Sequence, residues 1–112
     1  MLSMNEDLEG ALCTYVELLE DEEYFEAHEV LEEAWHPLRL KKHPLANLAK
    51  GLINGAIAFE HIKRNKNHAK DKAIKVLASY ERHKHLCVEG GLYSTAFQKA
   101  IRKIEQLKQE KL

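Results

Sequence analysis

The sequence predicts an all-α fold, a single compact bundle of about five helices with short loops spanning residues 1–112. Three observations predict it. Apolar residues recur three and four positions apart through most of the 112 residues, the repeat of a helix with one buried face. Strand signals are weak, because alternating β-branched runs are few. Finally, only two prolines interrupt the chain, and no repeat, low-complexity linker or composition break marks a second domain.

The elements follow in order. A first helix is expected from about Met4 to Glu20, where Ser3 and Glu6 fit a capping box and Leu8, Ala11, Leu12, Tyr15, Val16 and Leu19 share a face. The acidic run Glu20 to Glu23 breaks it and supplies carboxylates for the next start. The second helix runs from about Glu22 to His36 and stops before Pro37, since proline disfavours the helical conformation in the residue preceding it. The third, about Leu45 to Arg64, is the most apolar and is placed at the centre. Its Gly51 and Gly55 would cost roughly 1 kcal/mol each against alanine, a cost that a closely approaching neighbour would justify. Asn65 or Asn67 is expected to cap a fourth helix, about His68 to His85, with Ala73, Val76, Leu77 and Tyr80 inward. Thr95 and Gln98 resemble a second capping box and open a last helix to about Lys111, striped by Phe97, Ile101 and Ile104.

Composition narrows the function. With 45% hydrophobic and 31% charged residues the chain suits a globular domain. It holds no apolar run of the roughly 18 residues a membrane span needs and no basic leader followed by an apolar stretch, so a cytoplasmic location without membrane contact is expected. Cys13 and Cys87 lie far apart and read as reduced thiols. Net charge is −1, yet residues 1–35 hold twelve acidic and no Lys or Arg side chains, whereas 36–112 hold six acidic and seventeen basic. Acidic N-terminal helices lying beside basic C-terminal ones would account for this polarity, which also makes a homodimer an expected partner. Nucleic acid is disfavoured, because strong binders carry a net basic charge.

The chemistry concentrates in "YFEAHEVLEEAW", Tyr24 to Trp35. At about 100° per residue, Tyr24, Leu31 and Trp35 share one line. His28 falls about 40° from Tyr24 and Glu32 about 40° further round, at the edge of the buried stripe. Residues i and i+4 can touch or share a ligand. One reading makes His28 and Glu32 ligands of a divalent metal, Zn, Mn or Fe, with further donors from Glu60 or His61 on the third helix. The other makes them a structural pair, with Glu32 accepting a hydrogen bond from His28 and Trp35 or a tyrosine hydroxyl completing a polar network.

The stretch "HEVLEEAW" carries a His-x-x-x-Glu-x-x-Trp pattern in His28, Glu32 and Trp35. With its "YFEAHEVLEE" context and the later "KGLINGAIAFEHIKRN", it resembles the bacterial and archaeal family described as domain of unknown function 309. The resemblance covers roughly Tyr24 to Asn67. It implies a small helical protein, with metal binding by the His and Glu suggested by the motif and no activity to carry over. It also adds Arg64 to a pocket with Tyr24 and Trp35. Family members commonly turn through a glycine after that arginine; here the turn is "RNKNHA", so no role for the loop carries over.

Other motifs are weaker. "HEVLE" is not HExxH, since Glu32 stands where the second His belongs. Paired ExxH motifs, a phosphate-binding glycine loop and a nucleophile in motif context are absent, so no reaction is assigned. The leading expectation is a small helical protein with a metal- or ligand-binding pocket on His28, Glu32 and Trp35. The alternative is a protein or nucleic-acid interaction module using the basic C-terminal half, with His28 and Glu32 purely structural.

Overall fold

The computed structural model describes residues 4–91 and 93–112, with side chains described from Leu8 onward. Five α-helices account for most of them: α1 (Met4–Glu20), α2 (Tyr24–Leu40), α3 (Ala46–Arg64), α4 (Ala69–His83) and α5 (Ser94–Lys111), with a 3-10 turn at Lys84–Leu86. No strand occurs among the described residues. The all-α bundle expected from the periodicity is therefore what forms.

The apolar α3 lies at the centre and packs on α4, α2 and α5, while α1 closes the bundle against α2 and α5. Its Leu48, Ala49, Leu52, Ile53, Ala56 and Phe59 are fully buried. They meet Leu12 and Tyr15 of α1, Leu31 of α2, Leu77 and Tyr80 of α4, and Phe97 and Ile104 of α5 within one core. Full burial of each large side chain contributes roughly 1.5–3 kcal/mol. Both helical glycines stand where neighbours come close. A Cβ on Gly51 would lie 2.9 Å from the Cα of Tyr80, and one on Gly55 would lie 3.0 Å from Cδ1 of Ile104. The Tyr15 hydroxyl donates to the Leu52 carbonyl at 2.5 Å and ties α1 to α3.

Several local expectations are corrected. α2 does not stop before Pro37; the proline lies inside it and the helix continues to Leu40. Burial of Leu38, the next core position in the stripe, favours one more turn, at the cost of the hydrogen bond that proline cannot donate. Neither Asn65 nor Asn67 caps α4. Asn65 instead ends α3 in the left-handed conformation, and His68, also left-handed, precedes α4. α4 ends at His83, not His85. The residue before α5 is Tyr93, with no side-chain cap bond, so the Thr95–Gln98 box is not formed. The Ser3–Glu6 box lies outside the described residues.

Candidate functional site

The acidic face of α2 sorts as its helical spacing dictates. Tyr24, Ala27, Leu31, Ala34 and Leu38 are buried, Glu26, Glu29 and Glu33 point to solvent, and His28, Glu32 and Trp35 are half-buried at the edge facing α3. A groove of about 250 Å³ runs along this edge, lined by Phe25, His28, Ile57, Glu60, His61 and Arg64. Glu60 and His61 thus line the same groove as His28. Glu32, Trp35 and Tyr24 do not line the groove.

Each side chain has an identifiable anchor. His28 Nδ1 lies 2.5 Å from the Phe25 carbonyl oxygen. A carbonyl only accepts, so Nδ1 carries a proton, and in the neutral imidazole Nε2 is the nitrogen with the free lone pair. The Phe25 ring packs edge-on against the imidazole, with centroids 4.9 Å apart. Arg64 donates through Nε to Glu60 at 2.7 Å, one helical turn away. Among the described residues no partner holds its two terminal nitrogens. The groove therefore combines apolar walls (Phe25, Ile57) with two imidazoles and a guanidinium held at one end.

The structural polar network expected around His28 and Glu32 does not form. His28 bonds its own helix backbone and not Glu32. The Tyr24 hydroxyl is buried with no partner among the described residues, and burial, reinforced by the charges of Glu22, Glu110 and Glu60, pushes its pKa up to about 12. Trp35 is held by cations instead: Lys50 Nζ sits 4.5 Å from its ring centroid and the Arg39 guanidinium 5.3 Å. Such contacts contribute roughly 0.5–1 kcal/mol each at exposed sites.

The metal reading needs a third donor, because two ligands do not fill a usual shell. Among the described residues no three His, Cys, Asp or Glu side chains converge closely enough to hold an ion. Glu60, the carboxylate that lines the groove, is paired to Arg64. The donor set does not fit a metal centre. Both Cys13 and Cys87 are free thiols, as expected.

Sequence reading missed Phe25 and Ile57 as groove walls, and Arg39 and Lys50 as the partners of Trp35. The i, i+4 spacing of Glu60 and Arg64 would have revealed their ion pair. The Trp35–Lys50 contact joins two helices, so no spacing within one helix could show it.

No helix among the described residues is long and apolar enough to cross a membrane. The family model described as a domain of unknown function (DUF309) matches residues 12–72, a span that includes every groove residue. No curated protein and no solved structure matches the chain.

Proposed function

Since the chain belongs to the domain of unknown function (DUF309) family, whose description carries no activity, we propose a function from the groove itself: it binds a small molecule with a compact anionic head and an apolar body. The carrying observation is that His28, His61 and Arg64, from two helices, share one groove with Phe25 and Ile57. The terminal nitrogens of Arg64 offer the parallel donors that match a carboxylate or phosphate. Glu60 fixes the guanidinium through Nε alone, which orients the fork without using it. Phe25 and Ile57 then take the apolar body. His28 lines the same groove, and its neutral imidazole would offer Nε2 as an acceptor, suited to an acidic hydroxyl or to proton abstraction. Glu32 and Trp35 act here as neighbours of the site on α2, not as walls.

Benzoate and phenyl phosphate are suitable probes, with benzyl alcohol as the uncharged control, followed by amide chemical shifts in NMR titrations. Both anions are expected to shift the amides of Phe25, His28, Ile57, His61 and Arg64 in the millimolar range typical of a ligand of about ten heavy atoms. Benzyl alcohol is expected to bind at least several-fold more weakly. Arg64→Ala, at a side chain 53% exposed and so tolerated by the fold, is expected to weaken the anions by roughly tenfold. Shifts confined to other surfaces, or none up to about 10 mM, would refute the reading.

A further inference from the structure

One side of α4 is spoken for and the other is not. Ala73, Leu77 and Tyr80 are buried, and α3 is the helix that α4 mainly packs on. On the outside, Lys70, Ile74, Ala78 and Arg82 recur at every fourth residue, and all four are exposed, Ile74 by 58%. At about 100° per residue each step turns by about 40°, so the four form one ridge that winds over about 120° of the surface. Lys75, also exposed, stands about 20° from Arg82 and about two turns before it. Lys70, Lys75 and Arg82 enter no ion pair among the described residues. The carboxylates of α4 are engaged elsewhere: Glu81 with Lys84 at 2.8 Å and Lys108 at 2.5 Å, and Asp71 with His68 at 3.8 Å. The acidic α1 packs on α2 and α5, not on α4, so the bundle leaves the charge of this ridge unmatched.

We propose that the ridge is a docking surface for an acidic amphipathic helix of another protein. Its order of cation, apolar, apolar, cation is complemented by carboxylate, apolar, apolar, carboxylate at the same four-residue spacing. Two helices that pack through such ridges cross at about −50°, the commonest class in globular proteins. Ala78 is the smallest of the four and lets the partner backbone come closest, while Ile74 supplies the apolar contact. Lys70 and Arg82 reach over the diverging ends on long stems, and Lys75 adds a further donor beside Arg82. The order reads the same in both directions, so charge does not choose the direction in which the partner helix runs.

The chemistry of the ridge favours this occupant over other anions. A phosphate backbone would meet the cations but leave Ile74 and Ala78 unused, and the one aromatic residue of α4, Tyr80, is buried and offers a base no stacking surface. A membrane surface takes helices with a broad apolar face, whereas Ile74 is the single large exposed apolar residue of α4. One helix laid on another lies at the small end of specific interfaces, below roughly 1,200 Å². The association is therefore weak, and exposed charges make it salt-sensitive over a screening length of about 10 Å. The ridge shares no residue with the groove between α2 and α3, so neither reading depends on the other.

The probe is a synthetic helical peptide with glutamate, leucine, leucine and glutamate at every fourth position on an alanine and glutamine background, titrated against the full chain at about 20 mM salt. Binding with a dissociation constant below about 1 mM is expected, weakened at least several-fold at about 500 mM salt. Amide chemical shifts are expected to move at Lys70, Ile74, Ala78 and Arg82. Ile74→Ser and Arg82→Glu, both at exposed positions that the fold tolerates, are each expected to weaken binding roughly fivefold. No binding up to about 1 mM, shifts confined to other helices, or an affinity unchanged in both variants would overturn the proposal. Tighter binding of duplex DNA or of anionic lipid vesicles through the same residues would also overturn it, making the ridge a phosphate-binding surface. So would a concentration-dependent dimer of the chain alone that Ile74→Ser abolishes, which would assign the ridge to a second copy.

Discussion

Gly51 shows how much a single residue can be asked to do. A Cβ there would meet Tyr80 Cα at 2.9 Å and the Ser79 carbonyl oxygen at 3.3 Å, both backbone atoms that cannot swing aside. Gly51→Ala is expected to lower stability by roughly 1–3 kcal/mol through overpacking, although alanine alone would gain about 1 kcal/mol in helix propensity. Gly10, also helical, has open space around its Cβ position, so Gly10→Ala is expected to raise stability by up to about 1 kcal/mol. Urea unfolding of the two variants measures the opposite signs. The four-residue spacing of Gly51 and Gly55 made a close approach legible in the sequence. It did not reveal that the two face different helices, α4 and α5. His28 has the same character: its helical angle placed it at the buried edge, but its partner, the Phe25 carbonyl, is a backbone atom that side-chain patterning does not reveal.

Helix ends, more than helix faces, resist prediction. On the apolar face expected for the third helix, Leu48, Ala49, Leu52, Ile53, Ala56 and Phe59 are buried and only Leu45 and Ile57, at its margins, are half-buried, because a 3.6-residue repeat over five turns averages out local exceptions. The ends depend on single residues. Glu22, Lys42, Asn65, His68 and Tyr93 all adopt left-handed backbone conformations, each at roughly 1–2 kcal/mol for a non-glycine residue, with Asn the best tolerated. Asn65 takes the place that a glycine after Arg64 would occupy, so the turn forms without one. Pro37 is the other exception. It stays inside α2 because Leu38 gains burial, yet the Glu33 carbonyl loses its usual donor. Pro37→Ala is expected to stabilise the fold by roughly 1–3 kcal/mol, the interior-proline cost less the stiffness lost from the unfolded chain. The shift of the thermal or urea midpoint reads it.

At the scale of the whole molecule, the polarity of charge is not spent inside the bundle. The acidic first half and basic second half meet at Glu22, whose carboxylate pairs with Lys111 at 3.3 Å and whose carbonyl accepts from Lys63 at 2.8 Å. The denser ion network links α4 and α5 instead. Lys108 bridges Glu81 at 2.5 Å and Glu105 at 3.2 Å, and Tyr80 donates to Glu105 at 2.5 Å. Burial works against the charged form of Glu105, but the Tyr80 and Lys108 hydrogen bonds outweigh it and hold the carboxyl below its usual range. Tyr15, Tyr24 and Tyr80 all have raised pKa values, burial being the largest cause for each. The folded state therefore keeps protons that the unfolded chain releases above about pH 10. Stability is intact below that pH and falls as pH rises towards the folded value, which for Tyr24 is about 12. The loss is up to roughly 1.4 kcal/mol per pH unit for each tyrosine. Urea titrations between about pH 9 and 11.5 measure it, and Tyr24→Phe is expected to flatten the slope while costing little at neutral pH, since its hydroxyl has no partner to lose. Net charge was legible in the sequence, but which charges pair depended on helix orientations that composition does not encode. Trp35 adds a last consequence. It is the chain's single tryptophan, placed between Lys50 and Arg39 with the His36 ring 5.1 Å away. Its ultraviolet emission therefore comes from one corner of the molecule, where α2 ends beside α3, giving that corner a built-in optical signal free of background from any other indole.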